Sequence, residues 1–406
     1  MTEMLTADAA RAALIRAVEP VTGRETVALF DAAGRVLAAD LVSGRMVPPN
    51  DNAAVDGYAV FAADLDSTGE VDLPVTARVV AGALPDRPGR RGEAIRIFTG
   101  APVPAGVDTI LPQEICRELP GGRVILPAVK PGSNLRKAGE DIEAGACVLR
   151  AGTRLRPQEV GLAASIGCHR LEVFRRPRVA LFSTGDELRE PGEPAAGAAI
   201  YDANRYSLAG LLSGLGCIVE DFGIVPDQLA VLRETLGRAA SGCDAVLTSG
   251  GVSVGEEDHV RAAVEALGRL EFWRIAIRPG RPLAFGRLGA VPFLGLPGNP
   301  VAVMVTFMMF ARPLLQRLAG AEPVPPLRFP VVAGFSMKKR AGRREWVRAS
   351  ITRTADGRAV AARFAREGSG ILTSMSASDG LLELPEAPER INEGDLLDFL
   401  PFSELL

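Results

Sequence analysis

The sequence of 406 residues has few of the side chains from which many active sites are built. Its two histidines, His169 and His259, make a Ser-His-Asp triad or a multi-histidine metal site hard to build. Its five cysteines stand far apart and form no CxxC pair, which argues against a zinc ribbon and a disulfide framework and favours a reducing compartment. We therefore expect any catalytic metal to be held by oxygen ligands.

Neither the charge nor the apolar runs of the sequence point to nucleic acid or to a membrane. Lys+Arg 46 against Asp+Glu 49 gives a net charge of −3, which argues against nucleic acid as the main partner. The longest apolar run, 300–311, is too short for a bilayer, which needs about 20 residues. The N-terminal stretch has an amphipathic helical pattern and lacks the apolar region of a signal peptide. We expect a cytoplasmic protein.

The composition of the sequence and the spacing of its apolar residues divide the chain into four parts. Residues 1–45 contain a helical segment that we expect to pack with 140–174 as a linking domain. Residues 46–139 carry short β-like runs separated by glycine and proline, which predicts a small β domain. Residues 175–322 alternate strands with helices, which predicts a parallel sheet with helices on both faces. After a proline-rich linker, 323–406 alternate like strands and predict a C-terminal β domain.

The expected fold class is thus multidomain α/β plus β. It comprises a doubly wound α/β substrate domain, a small β domain inserted upstream of it and a C-terminal β-barrel-like domain. In doubly wound sheets, ligands bind just beyond the carboxyl ends of the strands. Loops at that edge of the sheet are therefore the first place to look for a functional site.

Four polar, glycine-rich loops are expected at that edge. The loop 183–187 offers two carboxylates that could bind a hard cation, and 249–258 has paired glycines before a helix, a plausible anion cradle. The loop 295–300 contains a Pro-Gly turn before a helix. Arg278 and Arg281 flank another Pro-Gly turn, and their guanidinium groups could form a fork that binds an oxyanion. Each loop alone also fits an ordinary turn. Together they favour an anionic ligand with a divalent metal.

Eight segments give the chain a family resemblance. They are PPNDNAAVDGYAV, TGAPVPAG, NLRKAGEDI, STGDEL, IYDANRYSL, SGGVSVGEEDHV, RPGRPLAFG and GLPGNPVA. In this order they resemble the molybdopterin molybdenumtransferase family of molybdenum-cofactor biosynthesis, which is related to the C-terminal domain of gephyrin. The resemblance covers about residues 46–310, and the flanks agree in length and texture.

The resemblance implies an elongated homodimer in which the β domain of one subunit completes the site on the α/β domain of the other. It implies insertion of molybdate into the dithiolene of adenylylated molybdopterin with Mg²⁺, which forms molybdenum cofactor and releases AMP. It also implies that the protein contacts a molybdopterin adenylyltransferase, which supplies the substrate.

The resemblance also implies roles for particular residues. The acidic positions around substrate and metal match Glu187, Asp227 and Asp258, which are candidates both for binding the metal and for catalysis. Asp56, on the β side, is a further catalytic candidate. The substrate-binding candidates are Thr99, Asp141, Ser249, Gly250, Gly251, Arg278, Arg281, Pro297, Pro300 and Ser369. The family often has lysines where this chain has Arg278 and Arg281, and arginine keeps the charge but presents a planar fork.

Two alternatives remain open at this point. One is a molybdopterin adenylyltransferase, which shares the type of α/β domain but lacks the extra β domains and the PGNP loop. The other is a non-catalytic scaffold of the gephyrin type, which would bind a partner without forming cofactor.

Overall fold

The computed structural model describes residues 4–67, 69–251 and 259–406. The helices within these ranges are α1 (Ala7–Arg16), α2 (Pro157–Ser165), α3 (Ala203–Gly214), α4 (Leu229–Gly242), α5 (His259–Leu267), α6 (Pro300–Thr306), α7 (Arg312–Leu318), α8 (Thr373–Ser376) and α9 (Phe402–Leu405). A π-helical turn, Phe307–Ala311, joins α6 to α7.

The strands follow in chain order. Those of the N-terminal part are β1 (Arg24–Ala28), β2 (Leu41–Val42), β3 (Asn52–Ala53), β4 (Gly57–Val60), β5 (Val71–Val79), β6 (Ala94–Ile97), β7 (Thr109–Pro112), β8 (Arg117–Leu119), β9 (Arg123–Leu126), β10 (Leu135–Arg136), β11 (Cys147–Leu149) and β12 (Arg170–Phe174). Those of the middle part are β13 (Arg178–Thr184), β14 (Leu188–Arg189), β15 (Ile200–Tyr201), β16 (Ile218–Val225), β17 (Ala245–Ser249), β18 (Gly268–Arg274), β19 (Ile277–Arg278), β20 (Pro282–Leu288) and β21 (Val291–Leu296). Those of the C-terminal part are β22 (Phe329–Ala333), β23 (Met337–Lys338), β24 (Arg344–Arg353), β25 (Ala359–Arg363), β26 (Gly380–Leu384), β27 (Arg390–Ile391) and β28 (Leu396–Pro401).

A small linking unit is formed where β1 pairs with β12 and β2 pairs with β11, each antiparallel. The helix α1 does not join this unit. Its buried face of Ala7, Ala10 and Leu14 packs into the core of the α/β part beside α7. The expectation that the helical segment of 1–45 packs with 140–174 is therefore wrong for α1, because its apolar stripe is buried against the other core.

The β domain is a six-stranded sheet in the order β7-β4-β6-β5-β9-β8. It is inserted between β3 and β10, which pair antiparallel at its base. Separate apolar clusters lie around Ile95 and Ile97 and around Leu111 and Val124. The domain therefore has its own hydrophobic cores.

The α/β domain is built on a six-stranded sheet in the order β16-β13-β17-β21-β20-β18. Neighbouring strands from β16 to β21 are parallel, whereas β20 runs antiparallel to β21 and β18 runs antiparallel to β20. The predicted parallel sheet is wrong at β20 alone, because only residues 289–290 separate β20 from β21 and so short a link reverses the chain. The strand β18, antiparallel to β20, again runs in the direction of the other strands. Helices cover both faces: α1, α3, α6 and α7 on one, and α4 and α5 on the other.

The reversal of β20 decides where the site forms. Since β20 and β21 are antiparallel, the start of β20 at Pro282 lies at the same edge as the end of β21 at Leu296. The carboxyl ends of β13 and β17 reach this edge as well. The four loops singled out from the sequence therefore begin or end at one side of one sheet.

The C-terminal part closes into a barrel of β24, β25, β22, β28 and β26, which the pairing of β26 with β24 completes. The strand β19 of the α/β domain adds to β24 in parallel, with Arg278 opposite Glu345. Trp346 of β24 packs edge-on against Phe310 of the long helical stretch at 6.1 Å between ring centroids. The expected fold class, α/β plus β with a barrel-like C-terminal domain, is confirmed.

The helical stretch Pro300–Leu318 is 19 residues long and, by length and composition alone, apolar enough to cross a membrane. However, 78% of its most apolar window is buried inside the protein. It is a core helix, and it begins at Pro300, where the loop 295–300 was expected to lead into a helix.

Candidate active site

A cavity of about 850 Å³ lies between the carboxyl edge of the α/β sheet and the barrel. All four predicted loops line it, each through at least one residue. Of the residues predicted to act, it brings together Glu187, Asp227, Gly250, Gly251, Arg278, Arg281, Pro297 and Ser369.

The carboxylates of the α/β domain form one part of this site. Asp227 follows β16, and Glu187 follows β13. The Oδ1 atom of Asp227 is buried, accepts no hydrogen bond within the described ranges and lies 3.4 Å from Nδ1 of His259. Asp258 belongs to 252–258, outside the described residues. An unsatisfied carboxylate oxygen beside a cavity is ready to bind a cation or a donor.

The glycine loop after β17 needs glycine for steric reasons. Gly250 and Gly251 have φ of +85° and +67°, and a Cβ on Gly250 would lie 2.5 Å from the carbonyl oxygen of Thr184. Ser249 is buried behind the cavity, where its Oγ accepts a hydrogen bond from Asn204 Nδ2 at 2.8 Å. The Nδ2 atom of Asn204 also donates to the carbonyl of Gly298 at 2.7 Å, so this side chain ties two loops together.

Asn204 thus bridges two loops and does not cap α3. The N-cap of α3 is Asp202, whose carboxylate accepts from the N–H of Arg205 at 3.2 Å. Asn299 makes no side-chain capping bond at the start of α6 either. Instead the carbonyl of Ser369, from the barrel, accepts the N–H of Val301 at 2.9 Å. Pro300 begins this helix, where a missing N–H costs nothing.

The two arginines of the loop 278–282 differ in their surroundings. Arg278 donates to Glu345 at 3.3 Å and to Glu367 at 3.1 Å, both from the C-terminal domain. Arg281 forms no ion pair with any side chain in the described part of the chain and is exposed. Arg281 is therefore the more available cation for an anionic ligand.

The three residues predicted on the β side of the site, Asp56, Thr99 and Asp141, do not line the cavity of their own chain. Asp56 accepts hydrogen bonds from the N–H and the hydroxyl of Thr99, each at 2.7 Å, and these bonds lower the pKa of its carboxyl. Asp141 is exposed. Within one chain the residues of the β side and those of the α/β side thus form separate groups.

Sequence reasoning missed the contribution of the barrel. The cavity is also lined by Arg343, Glu345, Arg348, Arg363, Arg366 and Glu367. Arg348 is buried, which lowers the pKa of its guanidinium, and its Nη2 donates to the carbonyls of Arg366 and Gly368. These residues carry no glycine-rich motif, because they lie on regular strands and on one loop. Only Ser369, within the sequence GSG at 368–370, was predicted from this side of the cavity.

Three family models match the chain in succession. One described as the MoeA N-terminal region (domain I and II) matches residues 5–167, and one described as a probable molybdopterin binding domain matches 180–317. One described as the MoeA C-terminal region (domain IV) matches 330–402. The fold and the site thus define a MoeA-type protein.

Individual relatives agree over almost the whole chain. A molybdopterin molybdenumtransferase of Haemophilus influenzae is 36% identical over 405 residues, which covers 99% of this chain and 100% of the relative. One from Nostoc is 40% identical over 311 residues, covering 74% of this chain and 71% of the relative. A crystal structure of the molybdopterin biosynthesis moeA protein of Pyrococcus horikoshii gives a TM-score of 0.84 at 30% identity, covering 98% of this chain and 100% of that one. The chain belongs to the molybdopterin molybdenumtransferase family.

Proposed function

We propose that this protein inserts molybdate into the dithiolene of adenylylated molybdopterin, with Mg²⁺, and releases AMP as molybdenum cofactor forms. The observation that carries this proposal is the charge of one cavity. Its described lining holds six arginines and four carboxylates, so it has an excess of positive charge together with acids for a cation. Both the substrate pyrophosphate and the tetraoxo metal ion are anionic, and arginine forks suit such groups.

The residues of the cavity have different roles, which follow from their chemistry. Arg281, which is free of carboxylates in the described ranges, binds and orients an anionic group. Gly250 and Gly251 lack side chains where the ligand must approach the backbone, and Pro297 stiffens the turn that faces them. This arrangement holds two anionic reactants in one space, which is what a transfer between them needs.

The described residues fit Mg²⁺ as a partner of the substrate. No group of three or more potential metal ligands occurs among the described residues. Mg²⁺ commonly binds through one or two carboxylates plus substrate phosphates and water, and the buried Oδ1 of Asp227, which accepts no hydrogen bond within the described ranges, meets that need. Asp227 and Glu187 would hold the ion, with Asp258 as a further candidate. When bound, it would polarise the phosphoanhydride.

The proposed assembly is a homodimer in which the β domain of one subunit completes the cavity of the other. The family resemblance assigns Asp56, Thr99 and Asp141 to the active site, yet these residues lie away from the cavity of their own chain. A second copy of the chain would reconcile the two observations. We further propose a cytoplasmic protein that receives its substrate from a molybdopterin adenylyltransferase.

The role of Asp227 is tested by AMP release. Purified Asp227→Asn and Asp258→Asn variants are incubated with adenylylated molybdopterin and molybdate, and we expect release to fall at least about tenfold. Undiminished release from both would remove these carboxylates from the mechanism. Incubation with ATP and molybdopterin provides the contrast, because only an adenylyltransferase would yield pyrophosphate.

The role of Arg281 is tested by calorimetric titration with molybdate. Loss of a charged hydrogen-bond donor costs about 1.5–3 kcal/mol, so Arg281→Ala should weaken binding by about tenfold or more. Arg340→Ala is the matched control, since Arg340 is exposed and lies outside the large cavity. Equal binding by both variants would place the oxyanion elsewhere.

A further inference from the structure

One guanidinium of the cavity is already occupied by carboxylates of the same chain. Arg278 donates through Nη1 to Glu345 at 3.3 Å and through Nη2 to Glu367 at 3.1 Å. A planar guanidinium binds carboxylates and other oxyanions through the same fork of N–H donors. Any anionic ligand that uses Arg278 therefore meets a site in which protein carboxylates are bound.

The two carboxylates differ in how firmly they are held. The side chain of Glu345 is 1% exposed, its backbone lies opposite Arg278 in the β19–β24 pair, and its other oxygen accepts from Arg343 Nε at 2.7 Å. The side chain of Glu367 is 45% exposed and stands on a loop after β25. Removing Glu345 from Arg278 would leave a buried charge with one fewer partner, whereas Glu367 can turn into solvent.

Glu367 also has a second partner to keep. Its Oε1 accepts from Arg363, four residues earlier, while its Oε2 contacts Arg278. These two arginines lower the pKa of Glu367, so this carboxyl is charged at neutral pH. The backbone on either side is fixed by Arg348, which donates to the carbonyls of Arg366 and Gly368. A rotation of one side chain is therefore enough to release Arg278, with no movement of the loop.

We propose that Glu367 competes with the anionic substrate for Arg278, so that binding of the substrate displaces this carboxylate while Glu345 stays in place. This inference rests on the proposed function and deepens it, because it assigns a residue that sets the affinity of the cavity for oxyanions. In the free protein, Glu367 is paired with Arg278. Only molecules in which Glu367 has left Arg278 can bind the ligand there, so the apparent affinity is the intrinsic affinity multiplied by the fraction of such molecules.

The test is a calorimetric titration of the full-length protein with sodium molybdate at constant ionic strength. An exposed ion pair is weak, so removing the competitor in Glu367→Gln should tighten molybdate binding by about two- to fivefold. Arg278→Gln and the double variant complete a cycle. In the Arg278→Gln background the effect of Glu367→Gln should disappear, because the competition acts through that arginine.

The outcomes separate this inference from the proposed function. Glu367 and its partners lie at the surface of the cavity, and a thermal melt shows whether each variant is folded. Unchanged or weaker binding by folded Glu367→Gln, with normal binding by the unsubstituted protein, overturns the competition alone. Tighter binding that persists in the Arg278→Gln background overturns it too, since a general change in charge would then explain the gain. Failure of the unsubstituted protein to bind molybdate overturns the proposed function and this inference with it.

Discussion

Glu93 of the β domain shows how local hydrogen bonds change the pKa of a single carboxyl group. Glu93 accepts from Arg87, Thr76 and the N–H of Arg90, with its bonds to Arg87 the largest effect, and together they lower its pKa from 4.5 to about 2. A carboxyl whose pKa falls on folding stabilises the native state above its unfolded pKa. That stability is lost as pH falls from about 4.5 towards 2.

We therefore expect Glu93→Gln to lower the melting temperature at pH 7 and to lose this difference progressively between pH 4.5 and 2. Thermal melts of both proteins across this range measure the effect. The control is Glu70→Gln, whose exposed partner Arg117 lies 3.5 Å away. A gap between Glu93→Gln and the unsubstituted protein that is constant with pH would show that charge is not the cause.

Lys339 is a second residue whose partners define its role. Its buried ammonium lies within 3.4 Å of five backbone carbonyl oxygens, the nearest being that of Pro385 at 2.7 Å. Burial lowers the pKa of this group. Lys339→Met would leave these acceptors unsatisfied, and we expect it to reduce the free energy of unfolding by about 1–3 kcal/mol.

Chemical denaturation measures this loss, with Lys338→Met as the control, since Lys338 is the exposed neighbour at the end of β23. A loss no larger than that of the control would mean that solvent satisfies the carbonyls. Arg348 of the cavity resembles Lys339 in one respect. Burial and backbone carbonyl partners fix its position, and neither can be seen in the sequence without the fold.

Among the elements, the turn between β19 and β20 is tightly constrained by its surroundings. Gly280 has φ of +90°, and a Cβ there would lie 2.2 Å from Cγ2 of Thr306 in α6. Gly280→Ala should therefore displace the turn that carries Arg278 and Arg281. We expect it to weaken molybdate binding in a calorimetric titration and to destabilise the protein.

Gly289→Ala is the matched control, because Gly289 also has a positive φ, +60°, but faces open space. It should cost only the conformational strain of about 1–2 kcal/mol and leave binding unchanged. If Gly280→Ala binds molybdate as tightly as Gly289→Ala, the position of the turn does not matter to the ligand.

The sequence predicted elements well where one periodicity ran through a whole segment. The strand–helix alternation of 175–322 predicted the α/β domain, and the amphipathic pattern near the N-terminus predicted the helix α1. The pairing of β19 with β24 could not be predicted, because a two-residue strand has no period and the residues that it pairs with are 67 positions further on. The barrel side of the cavity depends on that pairing, so it was missed with it.

At the scale of the whole molecule, the proposed dimer makes a quantitative prediction about mixed subunits. Asp56→Asn and Asp227→Asn should each inactivate the homodimer, because each removes one half of every shared site. After co-refolding in equal amounts, half of the dimers are mixed and carry one intact site of two. AMP release should then return to about one quarter of that of the unsubstituted protein.

Sedimentation of each variant beforehand checks that the subunits pair. Activity that stays absent in the mixture, despite exchange of subunits, would show that Asp56 and Asp227 act in the same chain. An Asp56→Asn homodimer that is fully active by itself would show that Asp56 has no part in the reaction.

The contact of Trp346 with Phe310 has a consequence for how such proteins can be recombined. Trp346, Met375 and Leu400 of the barrel belong to the same apolar cluster as Leu14 and Phe310, so the two regions share one interior. Grafting a foreign barrel after residue 322 would leave mismatched surfaces on both sides of the graft unless the helix 300–318 came with it. The β domain, with its own interiors, is the region that a chimera could exchange intact.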